Sequence, residues 1–160
     1  MSTPSAPGIK IIGVGNEYRG DDAVGILIAR RLVSMLPNTV AVIEHSGDGA
    51  TLMDQWRCAE LVIIVDAAKS GAPVGTIHRL NPNKDIIPSD FFHHSSHAFA
   101  VAEAVEVARR LGLLPSELLI FGLEGTDYDA GSPLSPAVEQ ALTALTDEIV
   151  SLVTARLETT

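Results

Sequence analysis

Two carboxylates and one imidazole stand at three separated points of the chain, each where a fold can turn it towards a common centre. Asp22 closes the run Gly13-Val14-Gly15-Asn16-Glu17-Tyr18-Arg19-Gly20-Asp21-Asp22, Asp66 follows the apolar run Leu61 to Val65, and His97 ends Ser95-Ser96-His97. Two carboxylates and one neutral ring nitrogen suit a divalent transition metal and leave positions open for other ligands. The imidazole binds metal only when neutral, and a helix N-terminus shifts its basicity in that direction. Without a cation Asp22 and Asp66 would repel each other, and one pKa would rise. Each residue also has a plainer reading. Asp21 reads as a helix N-cap that accepts a backbone N–H, Asp22 as a favourable charge at a helix start, Asp66 as a turn residue and His97 as a cap or an exposed side chain. His93 and His94 read as solvated loop residues. Phe91 and Phe92 read as anchors that pack their loop down, or as contacts for a partner. Cys58 reads as a small core residue.

Residues this far apart meet only through the elements that carry them. Ile9 to Val14 is a short apolar run ending at glycines, which predicts a buried strand. Val24, Leu27, Ile28, Leu32 and Met35 then follow a 3.6-residue period, so 21–35 is expected to be a helix ended by Pro37 and Asn38. A second strand is expected over 39–44 and a short helix over 51–57. Leu61 to Val65 is apolar at every position, the mark of a strand covered on both faces of a parallel sheet. Thr76 to Leu80 alternates more weakly and reads as an edge strand. Residues 81–95 form a long polar loop, and loops of that length inside a domain are often functional. Ser95 or Ser96 should cap a helix with the stripe Ala98, Val101, Ala102, Val105 and Ala108, ended by Gly112 and Pro115. Leu118 to Leu123 reads as the last strand, followed by the acidic, glycine-rich loop 124–134. Ser135 as N-cap and Pro136 at the first helical position open a final helix. Alternating strands and helices imply a mainly parallel sheet covered on both faces, with ligands bound beyond the carboxyl ends of its strands.

Composition narrows the function classes. The chain has 160 residues, 11 basic and 20 acidic, for a net charge of −9. That length predicts one domain, over 9–160, after a loose Pro-rich tail over 1–8. The acidic balance argues against nucleic acid, whose phosphates need clustered Lys and Arg. One cysteine rules out a disulfide framework. No apolar run approaches the roughly 20 residues that span a bilayer, and the first residues lack the features of a signal peptide. The expectation is a cytoplasmic protein without a membrane partner. Two competing motifs fit poorly. A dinucleotide fingerprint beginning at Gly13 and Gly15 would need glycine where Tyr18 stands. A phosphoryl-receiver domain would end its last strand in Lys, whereas this one ends Gly122-Leu123-Glu124.

The segments GVGNEYRGDDAVG (13–25), LVIIVDA (61–67), SSHAFAVAEAV (95–105) and FGLEG (121–125) resemble, in content and order, the hydrogenase maturation proteases. The resemblance runs from about Ile9 to the C-terminal helix. It implies a three-layer α/β/α sandwich with a twisted, mainly parallel five-stranded sheet. It also implies an endopeptidase, classed as aspartic-type, that removes the C-terminal extension of the nickel–iron hydrogenase large-subunit precursor after nickel insertion. Carried over by motif, the metal-binding and catalytic residues are Asp22, Asp66 and His97. Gly13, Gly15, Asn16 and Asp21 match the loop that shapes the site, and Glu124 falls in a segment that lines the cleft. The nickel belongs to the substrate, so no tightly bound metal is expected in the free enzyme, which is expected to be a monomer. This chain has Asp22 where some members have Glu, and His93 and His94 stand close to His97 as further candidate ligands. The usual paired Asp-Thr/Ser-Gly motifs of aspartic peptidases are absent. Loops 81–95 and 124–134, with Phe91 and Phe92 as apolar anchors, are the expected substrate contacts. A non-cleaving nickel-dependent binding module and another metallohydrolase on the same sheet are the alternatives.

Overall fold

In the computed structural model, which describes residues 8–93 and 100–159, the hydrophobic periodicities resolve into alternating strands and helices. In chain order these are β1 (Ile9–Val14), a 3-10 turn (Gly20–Ala23), α1 (Val24–Met35), β2 (Ala41–His45), α2 (Gly49–Gln55), β3 (Leu61–Ala68), β4 (Ile77–Leu80), α3 (Val101–Leu111), β5 (Glu117–Glu124) and α4 (Pro136–Glu158). Among the described residues five strands form one sheet in the order β2-β1-β3-β5-β4. All pairs are parallel except β4 with β5, so the weakly alternating strand is the antiparallel edge. Edge position explains its half-exposed pattern.

Every residue of β3 is buried because both sheet faces are covered. On one face Ile11, Ile63, Val65 and Leu123 pack with Ile28 and Leu32 of α1 and Leu142, Leu145 and Ile149 of α4. On the other, Ile12, Val62, Ile64 and Ile120 pack with Leu52 of α2 and Val101, Val105 and Ala108 of α3. Burying each such aliphatic side chain contributes about 1.5–3 kcal/mol, so these two layers are the main source of stability. Gly13 makes the β1–α1 contact possible, since a Cβ there would lie 2.2 Å from the Gly25 carbonyl oxygen.

Several expectations shift. β3 runs three residues past Val65, so Asp66 stands within the strand rather than after it. Ala67 and Ala68 stay paired because β5 continues beside them to Glu124. On the same stretch the Lys69 N–H donates to the Phe91 carbonyl and the His93 N–H to the Ala67 carbonyl, at 2.9 and 3.1 Å. α3 starts at Val101 after an extended Ala100, later than a cap at Ser95 or Ser96 implied. Its Ala100 N–H donates instead to the Glu103 carboxylate. Those serines, His94 and His97 lie outside the described residues. Gly112 ends α3 in the left-handed conformation, as its position suggested. Phe91 and Phe92 are core residues, edge to face with each other, and offer no apolar surface to a partner. Cys58 is exposed with a φ of 60°, not a core residue. No helix of the described residues is long and apolar enough to cross a membrane.

Candidate active site at the carboxyl end of the sheet

Asp22 reaches the sheet through a loop folded against itself. Gly15 has a φ of +151°, and a Cβ there would lie 2.0 Å from the Asp22 carbonyl oxygen. The bare glycine lets the Asn16 N–H donate to that oxygen at 3.2 Å. The Asn16 side chain accepts the Tyr18 N–H at 2.9 Å, closing the turn. Arg30 of α1 clamps the same loop to β2, pairing with Glu17 and Glu44 at 2.8 and 2.9 Å. Gly15 and Asn16 thus hold Asp22 through backbone geometry, while Gly13 seats α1 against β1 through the Gly25 carbonyl.

Asp22 and Asp66 lie close enough to repel each other. Burial pushes the Asp22 carboxyl up to about 6, against the Asn16 N–H and the Arg19 charge. Asp66 is 6% exposed. Burial first, then the Asp22 charge, push its carboxyl well above the ordinary range, and the N–H of its own neighbour Ala67 opposes them at 2.8 Å. The repulsion expected from the sequence is therefore present, but desolvation outranks it. A paired carboxylate site of this kind favours a cation or a shared proton.

Asp21 has the opposite surroundings. It does not cap its own helix. Its Oδ2 accepts the N–H groups of Thr126 and Asp127 at 2.8 and 3.0 Å and the Ser135 hydroxyl at 2.7 Å, while Oδ1 accepts the Ser135 N–H at 2.8 Å. Burial alone would raise its pKa, but these donors outweigh burial and hold it below the usual range. Ser135 keeps the backbone of an N-cap at α4, yet its hydroxyl goes to Asp21.

A third buried carboxylate, Glu124, closes the other side. It accepts the Ser70 N–H and hydroxyl, the latter at 2.7 Å, and lies 3.1 Å from His78 Nε2. It braces the turn after β3 instead of facing an open cleft. Tyr128 donates its hydroxyl to the Ala68 carbonyl at 2.9 Å, and the His93 ring stacks on it at 3.7 Å. His93 is accordingly a packed residue, not a solvated one.

The structure thus brings Asp22 and Asp66 together and sets Gly15, Asn16 and Asp21 around Asp22, with Gly13 set apart against Gly25 of α1. His97 lies outside the described residues, and among those residues no three His, Cys, Asp or Glu side chains converge as a metal site. Sequence reasoning placed Ser135 at a cap and Thr126 and Tyr128 in the loop 124–134, but missed their bonds to Asp21 and Ala68, and it missed Ser70. The strand-end rule applied to β5 as strictly as to β3 would have pointed to Gly125-Thr126-Asp127. A cavity of about 410 Å³, lined by Met53, Trp56, Cys58, Leu113 and Pro115, lies at the opposite end of the sheet.

The model of a family described as hydrogenase maturation protease matches residues 26–152. The hydrogenase 2 maturation protease of Escherichia coli is 28% identical over 148 residues, which is 89% of this chain and 88% of that one. The hydrogenase expression/formation protein HupD of Thiocapsa roseopersicina is 26% identical over 142 residues, 87% of this chain. The chain spans only 64% of that longer relative. Among solved structures, the E. coli hydrogenase maturating endopeptidase HybD superposes with a TM-score of 0.75 at 23% identity over 93% of each chain. A nickel–iron hydrogenase maturation protease HycI of Thermococcus kodakarensis does so with 0.70 at 22% identity over 94% of each. These two likenesses show a shared fold.

Proposed function

The chain belongs to the hydrogenase maturation protease family, and on that premise we propose that it is the endopeptidase that removes the C-terminal extension of a nickel–iron hydrogenase large-subunit precursor after nickel insertion. Asp22, Asp66 and His97 engage the nickel held by the substrate and so place the scissile bond. A side chain that binds a metal through one carboxylate oxygen leaves the other free, and one of the two carboxylates takes the proton of the attacking water as general base. The observation that supports this reading best is the Asp22–Asp66 pair itself: two carboxyls at one sheet end, both pushed upward by burial, with few donors of their own. Such a pair is receptive to a cation brought by a partner and unfavourable when empty. Three protein ligands leave coordination positions for the precursor's own ligands, so the metal bridges the two proteins and binding lapses when it is absent. The free enzyme accordingly holds no metal tightly.

The test is the intact mass of a nickel-loaded precursor before and after incubation with this protein, beside a nickel-free precursor. Loss of a C-terminal peptide from the loaded form alone is the expected result. Cleavage of both forms would refute the nickel checkpoint. Cleavage of neither would refute the protease reading.

A further inference from the structure

We propose that Asp21 is a positioning residue for this site: it acts through Asp22 and the 125–135 loop and touches neither substrate nor metal. The proposal rests on the protease reading above. Asp21 is 0% exposed, so nothing outside the fold reaches its carboxylate. Its partners lie 105, 106 and 114 residues away, on the segment that leaves β5 and enters α4. The connection closes in both directions, because the Asp21 N–H donates to the Asp127 carbonyl at 2.7 Å. Three residues earlier in the first loop, the Tyr18 carbonyl accepts the Gly131 N–H at 2.8 Å and extends the seam.

The seam is also sterically closed. A Cβ on Gly125 would lie 2.7 Å from the Asp21 Cβ, and one on Gly20 would lie 2.2 Å from the Asp127 carbonyl oxygen. Both sides therefore touch through glycine, and Asp21 has no room to shift. The next peptide unit belongs to Asp22, whose carbonyl is held from the far side by the Asn16 N–H. Asp22 is thus gripped on one side by the Gly15–Asn16 turn and on the other by the Asp21 clamp. Its carboxylate is aimed at Asp66 by these two fixings. A merely local cap would bond within its own helix, and no such bond exists at the 3-10 turn or at α1.

The experiment compares wild type, Asp21→Asn, Ser135→Ala and Ser135→Thr, each checked for folding by circular dichroism. Steady-state cleavage of the nickel-loaded precursor is then resolved into kcat and KM. Asp21→Asn places an amide N–H against a backbone N–H, and a misplaced group costs about 100-fold in rate; the expected loss is of that size in kcat/KM, with a fall in kcat and, because Asp22 also holds the substrate's nickel, a rise in KM. Ser135→Ala removes one donor and should lower kcat about 5-fold. Ser135→Thr should restore it. A folded Asp21→Asn with wild-type kcat, or a Ser135→Ala loss that Thr does not rescue, would overturn the proposal. If Asp21→Asn fails to fold, the two Ser135 variants decide it. If wild type itself leaves the precursor uncut, the protease reading fails and the role assigned to Asp21 fails with it.

Discussion

Asp21 and Asp66 are both closed to solvent, at 0% and 6% exposure, and burial raises the proton affinity of each, yet the net shifts run in opposite directions. Around Asp21 the backbone of 126–135 and the Ser135 hydroxyl supply donors to both oxygens, and the carboxylate is held ionised. Around Asp66 the donor among the described residues is the N–H of Ala67, and a second carboxylate stands nearby, so the charged form is disfavoured. Depth alone does not set the proton affinity of a buried acid; the count and aim of its donors do. The well-supplied region is framework. The undersupplied region keeps lone pairs for a cation, and that is where the chemistry is assigned. Asp22, one peptide bond from Asp21, falls on the undersupplied side.

The largest effect that would break this contrast is on cleavage. Asp66→Asn keeps an acceptor for the Ala67 N–H but loses the ligand charge. It should abolish processing, by about 1,000-fold or more, while the unfolding midpoint at pH 7 stays level or rises. Full activity in this variant would remove Asp66 from the site. Asp21→Ala should do the reverse to stability. It strands several buried N–H donors and should cost about 3 kcal/mol, read from urea unfolding; a loss below 1 kcal/mol would show that the clamp is replaceable. Glu124→Gln keeps acceptor capacity for Ser70 and removes only the charge-assisted component, so about 1 kcal/mol is expected in the same assay.

The smallest effect is on pH dependence, and its sign separates neighbouring residues. Asp22 has a folded pKa of about 6, above its unfolded value of 3.8. The unfolded chain therefore sheds its proton first, and stability falls as pH rises between about 4 and 6. Asp22→Asn should flatten that decline by about 1 kcal/mol, after allowance for the partial exposure of the group. Asp21, with its pKa depressed, behaves in the opposite sense. Its contribution is present above the unfolded pKa and is lost as pH falls through the folded one. Unfolding midpoints of wild type and both variants from pH 3 to 8 test this, and a matching slope for Asp21→Asn and Asp22→Asn would contradict it.

The fold was largely legible because hydrophobic periodicity is a local property. The continuous run in β3, the 3.6-residue stripe in α1, Gly112 after α3 and Ser135-Pro136 before α4 each report their own element. Of the candidate site, Asp22 and Asp66 were legible through the rule that α/β sheets bind ligands at the carboxyl ends of their strands. What was not legible is non-local. Ala67 and Ala68 carry no strong strand signal and are held in β3 by Leu123, Glu124 and Phe92. That Phe91 packs its loop down was legible; its seat was not, and Gly122 supplies it, since a Cβ there would lie 2.8 Å from the ring.

The amino-acid order by itself determined which segments become strands and helices, the parallel character of the sheet and the edge that collects acidic side chains. Those follow from side-chain patterning within a few residues. Only the tertiary structure decided which aspartate is tied down by donors and which is left beside a second buried carboxylate. Asp21 and Asp22 are chemically identical neighbours, and each acquires its surroundings from groups that chain closure brings to it: the 126–135 backbone to one, a second buried carboxylate to the other.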